Sequence, residues 1–269
     1  MAFKNILDMH THTDNSPDGH HGATLMCEYA VKSGLRAIAF TDHCECNAYV
    51  TERYNVSSRQ SFFEATKQKD IFAGFIVVVA GIELGQPMQD PAARDTALTR
   101  PYDFTLASLH NVAGKPDFYL IDFNAPENDI RTLIGRYFEE LTDMCRWGGF
   151  DSLAHITYPF RYLGKFETDV TPEDFKPQID EILSLLVAGG KALEINTSGP
   201  RYGTDILPPL WLLKRFRELG GELLTIGSDA HRFGDVGGGV PDGMKLALRA
   251  GFQYVTLYQD HVPIPIRIE

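Results

Sequence analysis

The chain has 269 residues, of which 43% are hydrophobic and 23% are charged, and its formal net charge is −11. It contains no run of about eighteen apolar residues, so no membrane span is expected. An acidic chain has no general attraction for nucleic acid or for an anionic membrane surface, so the composition favours a small-molecule partner.

Short apolar runs and amphipathic segments alternate along the chain. The apolar runs are rich in Ile, Val, Leu and Phe, and they predict buried strands at 5–12, 35–42, 75–84, 103–109, 150–156, 192–197, 222–228 and 254–258. The segments between them predict helices at 23–33, 57–72, 129–147, 175–187, 208–219 and 241–250. Phe62, Phe63 and Ala65 are the expected buried stripe of the second helix, and residues 86–100 predict a long surface loop.

This alternation predicts a parallel sheet covered by helices, the arrangement of the α/β class. A doubly wound open sheet would concentrate functional residues at one switch point. Seven or eight units with polar residues at many strand ends favour a closed barrel instead. We expect a single domain over residues 1–269.

Imidazoles and carboxylates recur at the carboxyl ends of the predicted strands. They are His10, His12, His43, Glu83, His110, His155, Asp229 and His231. In a parallel barrel these ends converge, and a mixture of nitrogen and oxygen ligands suits divalent metals. The sequence therefore predicts a metal cluster at this end of the barrel.

Spacing and burial strengthen some of these candidates more than others. His10 and His12 lie two residues apart on a strand, so both point to the same side. Glu83 follows so apolar a strand that its desolvation is costly unless it is paired or bound to metal. His43 has two interpretations, a metal ligand or a hydrogen-bonded core residue. Asp8 could orient an imidazole, or it could be an ordinary strand-end carboxylate.

These residues lie in motifs that resemble a known family. The motifs are His10-Thr-His12, Phe40-Thr-Asp-His43, Gly81-Ile-Glu83, Ala107-Ser-Leu-His110, Ala154-His155 and Gly227-Ser-Asp-Ala-His231. They are similar to those of the polymerase-and-histidinol-phosphatase (PHP) family, in particular its stand-alone histidinol-phosphatase branch. The resemblance implies a distorted (β/α)7 TIM-like barrel that holds three divalent metal ions, which could be Zn, Mn or Fe.

Carried over position by position, the resemblance also implies a ligand set. The first metal would take His10, His12, Glu83 and Asp229. Glu83 would bridge to a second metal, which His110 and His155 complete. The third would take His43, His231 and one residue of the loop 16–21. We choose Asp18 because it lies six residues after His12, with His20 as the alternative.

Two arginines indicate the substrate. Arg161 follows His155 closely, and Arg201 lies just past another predicted strand. Guanidinium groups beside metals favour a phosphate dianion, although solvated surface charges are the alternative. Together with the resemblance, they predict a phosphomonoester hydrolase of histidine biosynthesis that cleaves L-histidinol phosphate through a metal-bridging hydroxide. Glu83, Asp229 and His231 are the expected catalytic residues, and the last two are candidates to protonate the leaving alkoxide.

Two other functions compete with this one. A PHP-type phosphodiesterase or nuclease would act on small phosphodiesters or oligonucleotides, but the chain lacks a basic, aromatic-studded groove. A catalytically silent, partner-binding module should have lost ligands, whereas every main position here is occupied.

The cysteines and the N-terminus indicate the cellular compartment. Cys27, Cys44, Cys46 and Cys145 are too few and too scattered for a disulfide framework. Cys44-Glu-Cys46 has no matching second pair, so we do not expect it to bind metal. The N-terminus lacks the features of a secretory signal, and we expect a cytoplasmic protein. Nothing in the sequence indicates an oligomeric state.

Overall fold

Seven parallel strands form the wall of a barrel. The computed structural model describes residues 3–126, 128–164, 166 and 168–269. In sheet order the strands are β1 (Leu7–Thr11), β2 (Ala37–Phe40), β4 (Val77–Gly85), β5 (Phe104–Ser108), β6 (Ser152–Leu153), β7 (Ala192–Asn196) and β8 (Leu224–Gly227). A short strand, β3 (His43–Glu45), also pairs with β4 in parallel.

The last strand of the sheet returns to the first. At the carboxyl ends of these strands, Asp229 N–H donates to the His10 carbonyl and His12 N–H donates to the Ala230 carbonyl, both at 2.8 Å. Thr11 and Ala230 form a parallel bridge. The sheet is therefore a nearly closed barrel, and the prediction of a distorted TIM-like barrel is confirmed.

Eight helices cover the described part of the barrel. They are α1 (Ala23–Lys32), α2 (Tyr54–Ile71), α3 (Pro91–Ala97), α4 (Ile130–Trp147), α5 (Phe160–Leu163), α6 (Lys176–Gly189), α7 (Leu210–Glu218) and α8 (Val240–Arg249). Within the residues described, none combines the length and the apolarity that a bilayer crossing requires.

Helix α4 illustrates how local sequence defines these boundaries. The side chain of Asp129 accepts a hydrogen bond from Thr132 N–H at the start, and Gly148 ends the helix in the left-handed region, with φ of 66°. Between them an apolar stripe is buried in the main hydrophobic core, as its spacing predicts: Leu133, Ile134, Tyr137, Phe138, Leu141 and Met144.

Three predictions about individual elements are wrong. The segment 86–100 is not all loop, because Asp90 caps α3 through Ala93 N–H and Pro91 opens its first turn. The run 254–258 lies outside the barrel, in β9 (Tyr254–Gln259), which pairs antiparallel with β10 (Val262–Arg267). Helix α2 faces the barrel with Ser61 and Ala65, and Phe63 is 63% exposed.

Candidate metal centre

The carboxyl ends of β1 and β8 bring two imidazoles and a carboxylate together. The Nε2 atoms of His10 and His12 lie 3.0 Å apart. Asp229 Oδ1 lies 3.7 Å from His10 Nε2 and 3.5 Å from His12 Nε2. All three residues are buried. The cluster thus offers two nitrogens and one oxygen around a single point.

Glu83, on β4, lies between two pairs of histidines. Its Oε2 atom is 3.6 Å from Nε2 of both His10 and His12. Its Oε1 atom is 3.2 Å from His110 Nε2 and 3.1 Å from His155 Nε2. The two carboxylate oxygens therefore face different histidine pairs, which is the geometry of a bridging ligand.

A third group forms at the outer side of the cluster. Asp18 Oδ2 lies 3.1 Å from His231 Nε2, and Asp18 Oδ1 lies 3.6 Å from His43 Nε2. His20 instead is exposed and has its Nε2 atom 3.0 Å from Arg232 Nη2. The structure therefore brings Asp18, and not His20, to the two histidines.

The donor set fits divalent ions. The Glu194 carboxylate can only accept, and it lies 2.6 Å from His10 Nδ1, so His10 carries a proton on Nδ1 and presents Nε2 to the cluster. Buried Glu83 Oε2 lies 2.7 Å from His43 Nδ1, but no donor among the described residues is aligned with it. Sets of three ligand atoms lie within 4.8 Å of one another: His12, His43 and His231; His10, His12 and Glu83; and His43, Glu83 and His110.

The electrostatics of the cluster keep its carboxylates ionised. Burial raises the pKa of Glu83, but the imidazoles of His43, His110 and His10 outweigh burial and hold this pKa well below its usual value. Burial lowers the pKa of His155, but at His10, His43 and His110 the neighbouring carboxylates outweigh burial and raise the pKa well above its usual value. Metal binds ionised carboxylates and neutral imidazoles, so a bound ion would take the place of the extra imidazole protons.

The backbone of Asp229 is strained, and hydrogen bonds from an arginine stabilise it. Its φ of 55° lies in the left-handed region, which Asp tolerates better than most residues. Arg201 Nη2 donates to the carbonyls of Ser228 at 2.6 Å and Asp229 at 2.8 Å. Arg201 also lines a small cavity beside Asp18 and His231. Nη2 of Arg201 thus stabilises the turn at Ser228 and Asp229 that carries the Asp229 carboxylate.

Arg161 is buried beside the cluster. It donates to Ser198 Oγ at 2.8 Å and to Asn196 Oδ1 at 3.2 Å, and its Nη1 atom lies 3.6 Å from Asp229 Oδ2. It lines a cleft of about 780 Å³ that reaches Glu83. The interpretation as a solvated surface charge is therefore wrong for this residue.

Sequence reasoning missed two carboxylates that contact the histidines. Glu45 Oε1 lies 3.1 Å from His110 Nδ1, and Glu194 contacts His10. The sequence does indicate both residues. Glu45 follows His43 by two residues, so the two share a face of β3, and Glu194 is a charged residue within an apolar strand, as Glu83 is. Asp8 does not contact an imidazole, because its oxygens accept from Ser228 N–H and Oγ–H and from Gly237 N–H.

Cys44 and Cys46 point away from the cluster. Because side chains alternate along a strand, Cys44 faces the side opposite to His43 and Glu45. Both thiols lie in an apolar group with Ile82 and Leu84. Burial raises the pKa of the Cys44 thiol to about 12, so it is a weak metal ligand.

Comparisons with known proteins agree with this geometry. A family model described as the PHP domain matches residues 8–198. A "Probable histidinol-phosphatase" of Thermotoga maritima is 27% identical over 256 residues, which cover 94% of this chain and 95% of that protein. Another of the same name, from Clostridium acetobutylicum, is 27% identical over 249 residues and covers 90% and 92%.

A solved structure shares the fold. It is the crystal structure of histidinol phosphate phosphatase from Lactococcus lactis, complexed with zinc, L-histidinol and phosphate. It superposes with a TM-score of 0.75 at 22% identity and covers 97% of this chain and 99% of that one.

Proposed function

The chain belongs to the PHP family, and from this premise we propose that it is a metal-dependent phosphomonoester hydrolase whose substrate is L-histidinol phosphate. The products would be L-histidinol and phosphate. The observation that carries the proposal is Glu83, whose two oxygens face different histidine pairs beside the buried Arg161. Relatives across nearly the whole chain that are named histidinol-phosphatase support the choice of substrate.

Three divalent ions, of zinc, manganese or iron, are part of the proposal. Their proposed ligands are those that the resemblance implies: His10, His12, Glu83 and Asp229 for the first, Glu83, His110 and His155 for the second, and Asp18, His43 and His231 for the third. When bound, such ions would lower the pKa of a coordinated water to about 7 and offset the charge of the phosphate.

The arginines would bind the phosphate. Arg161 is already held by Ser198 and Asn196, so little side-chain freedom would be lost when its guanidinium meets phosphate oxygens. Nη1 of Arg201 is buried and has no aligned acceptor in the described part of the chain. Both groups would stabilise negative charge that spreads over the phosphate oxygens during transfer.

The leaving group would lie in the outer cleft. His231, whose Nδ1 atom is 3.0 Å from the Asp229 carbonyl, is the proposed proton donor to the leaving alkoxide. Asp229, the other candidate, is less suited, because His10 and the neighbouring cationic groups outweigh burial and hold its pKa well below the usual value. Glu52 and Asp117 also line the cleft, and their carboxylates suit a leaving group that carries an ammonium, as histidinol does. We place the reaction in histidine biosynthesis and in the cytoplasm, a setting with which four free, buried cysteines are compatible.

A substrate panel tests the function. The purified chain, with its metal content measured by elemental analysis, is given histidinol phosphate, other phosphate monoesters and bis(p-nitrophenyl) phosphate. We expect the highest kcat/KM for histidinol phosphate and little cleavage of the diester. Preference for the diester would replace the proposal with the phosphodiesterase alternative, and no hydrolysis by metal-loaded protein would contradict both.

A further inference from the structure

Glu194 is a buried carboxylate outside the proposed ligand set, and it contacts two parts of the cluster. Its side chain is 1% exposed. Oε1 accepts a hydrogen bond from His10 Nδ1 at 2.6 Å. Oε2 accepts from the backbone N–H of His155 at 2.8 Å and from Asn196 Nδ2 at 3.3 Å. One side chain on β7 therefore connects a proposed ligand of the first ion to a proposed ligand of the second.

The contact with His10 crosses an intervening strand. β8 lies between β7 and β1, and at the crossing point it carries Gly227. A Cβ atom added there would lie 2.1 Å from His10 Cβ and 2.9 Å from Glu194 Oε1. Glycine at this position leaves the space through which Glu194 reaches His10.

The contacts require a carboxylate and not merely its shape. Every neighbour of the two oxygens presents an N–H group, and a carboxylate can only accept. A glutamine at this position would turn its NH₂ group either toward His10 Nδ1 or toward the His155 N–H. In the first case His10 would have to carry its proton on Nε2, which then could not bind metal, and in the second a buried backbone donor would lose its acceptor.

We propose that Glu194 is a positioning residue that holds His10 in its ligating tautomer and fixes His155, and so couples the binding of the first two ions. This inference deepens the proposed function and rests on its metal sites. An outer carboxylate of this kind raises the basicity of the ligating imidazole and sets its orientation.

Zinc binding to three full-length proteins tests the inference: wild type, Glu194→Gln and Asp151→Asn. Each is stripped of metal and titrated with Zn²⁺ in competition with a chromophoric chelator. Asp151 is the matched control because it is also a buried carboxylate that pairs with a histidine, His261, at 2.7 Å, but away from the cluster. We expect Glu194→Gln to bind zinc about 10- to 100-fold more weakly at one or more sites and Asp151→Asn to match wild type.

A second measurement separates positioning from general destabilisation. Nitrogen-15 NMR of histidine-labelled, zinc-loaded protein should show a Nδ1-protonated, Nε2-bound His10 in wild type, and this signature should be lost in Glu194→Gln. Zinc affinity and tautomer indistinguishable from wild type would overturn the inference. If Glu194→Gln does not fold, Glu194→Asp decides: weakened zinc binding supports the inference and wild-type binding overturns it.

The zinc titration of the Glu194 variants and the phosphatase assay can fail independently of each other. A wild-type chain that binds zinc but hydrolyses no phosphate monoester would refute the function, and the zinc titration would still decide the role of Glu194.

Discussion

The two ends of the barrel use buried charge differently. At the amino end, Asp103 accepts from Ala80 N–H at 2.8 Å and from Lys69 Nζ at 3.0 Å. Asp151 accepts from Thr105 N–H at 2.8 Å. At the carboxyl end, Glu83 faces five imidazole nitrogens at 2.7 to 3.6 Å, and one of its oxygens has no aligned donor among the described residues. At the amino end, backbone N–H groups and a lysine satisfy the buried carboxylates. At the carboxyl end, the carboxylate oxygens face imidazole nitrogens, which are groups that can bind a cation.

Each end also contains a carboxylate–histidine pair, and the difference lies in the other ring nitrogen. The pair of Asp151 and His261 lies near the surface, since the His261 side chain is 50% exposed. In the pair of Glu194 and His10, Nε2 of His10 faces His12 at 3.0 Å within the buried cluster. The pair of Asp151 and His261 holds the β9–β10 hairpin against the barrel, whereas the pair of Glu194 and His10 orients a proposed metal ligand.

Removal of metal should have the largest effect, and it should be confined to the carboxyl end. We expect chelation to abolish phosphatase activity and added Zn²⁺ or Mn²⁺ to restore it. Because ions bind only the folded state, the Tm should also fall on removal and rise again with metal concentration. Activity assays and calorimetry check this. Full activity in protein shown by elemental analysis to be metal-free would contradict the account.

The substitution Glu83→Gln should have the next largest effect, because it removes the charge between the two histidine pairs. We expect kcat/KM for histidinol phosphate to fall by more than about 100-fold, beyond what outer-shell residues typically cause. Steady-state kinetics and zinc stoichiometry check the prediction. Asp103→Asn, a buried carboxylate at the amino end, is the control and should lower the Tm while keeping kcat. An active Glu83→Gln enzyme would refute the bridging role.

Arg161→Lys should have an intermediate effect. A lysine keeps the charge but loses the planar fork that Ser198 and Asn196 hold in place. We expect kcat/KM for phosphate monoesters to fall by about tenfold, equivalent to about 1.4 kcal/mol of transition-state stabilisation. Arg215→Lys is the control, because Arg215 binds both oxygens of Asp180 on the outer helices. Equal kinetics for Arg161→Lys and wild type would exclude a phosphate contact.

Asp151→Asn should have the smallest effect and only on stability. It weakens the hydrogen bond to the half-exposed His261, so we expect the free energy of unfolding to decrease by about 1 kcal/mol. Denaturant unfolding measures this change, and kcat/KM should equal that of wild type. A large loss of activity in this variant would show that the two ends are not independent.

The strand ends and the family were predictable because their signals are local. His10 and His12 share a face through a two-residue period, and the barrel class and family resemblance inferred from such motifs are confirmed. Helix α3 was missed although Asp90 and Pro91 form a capping signal, because a helix of seven residues has too little periodicity. The position of 254–258 was wrong because an apolar run does not specify its partner strand.

The contacts within the site depend on tertiary structure to different degrees. That Glu194 would meet His10, 184 residues away, depends on strand order and on the missing side chain of Gly227. The choice of Asp18 over His20 depends on how the loop 16–21 turns. Arg201 both donates to the Ser228 and Asp229 carbonyls and lines the small cavity. The sequence could not predict the first role, because backbone carbonyls leave no signal in it.

Anomalous diffraction from crystals of the zinc-loaded protein tests the bridging role of Glu83. We predict one ion among His10, His12 and Asp229, a second between His110 and His155, and one oxygen of Glu83 on each. A map without ions at the carboxyl end, or with Glu83 bound to neither, would contradict it.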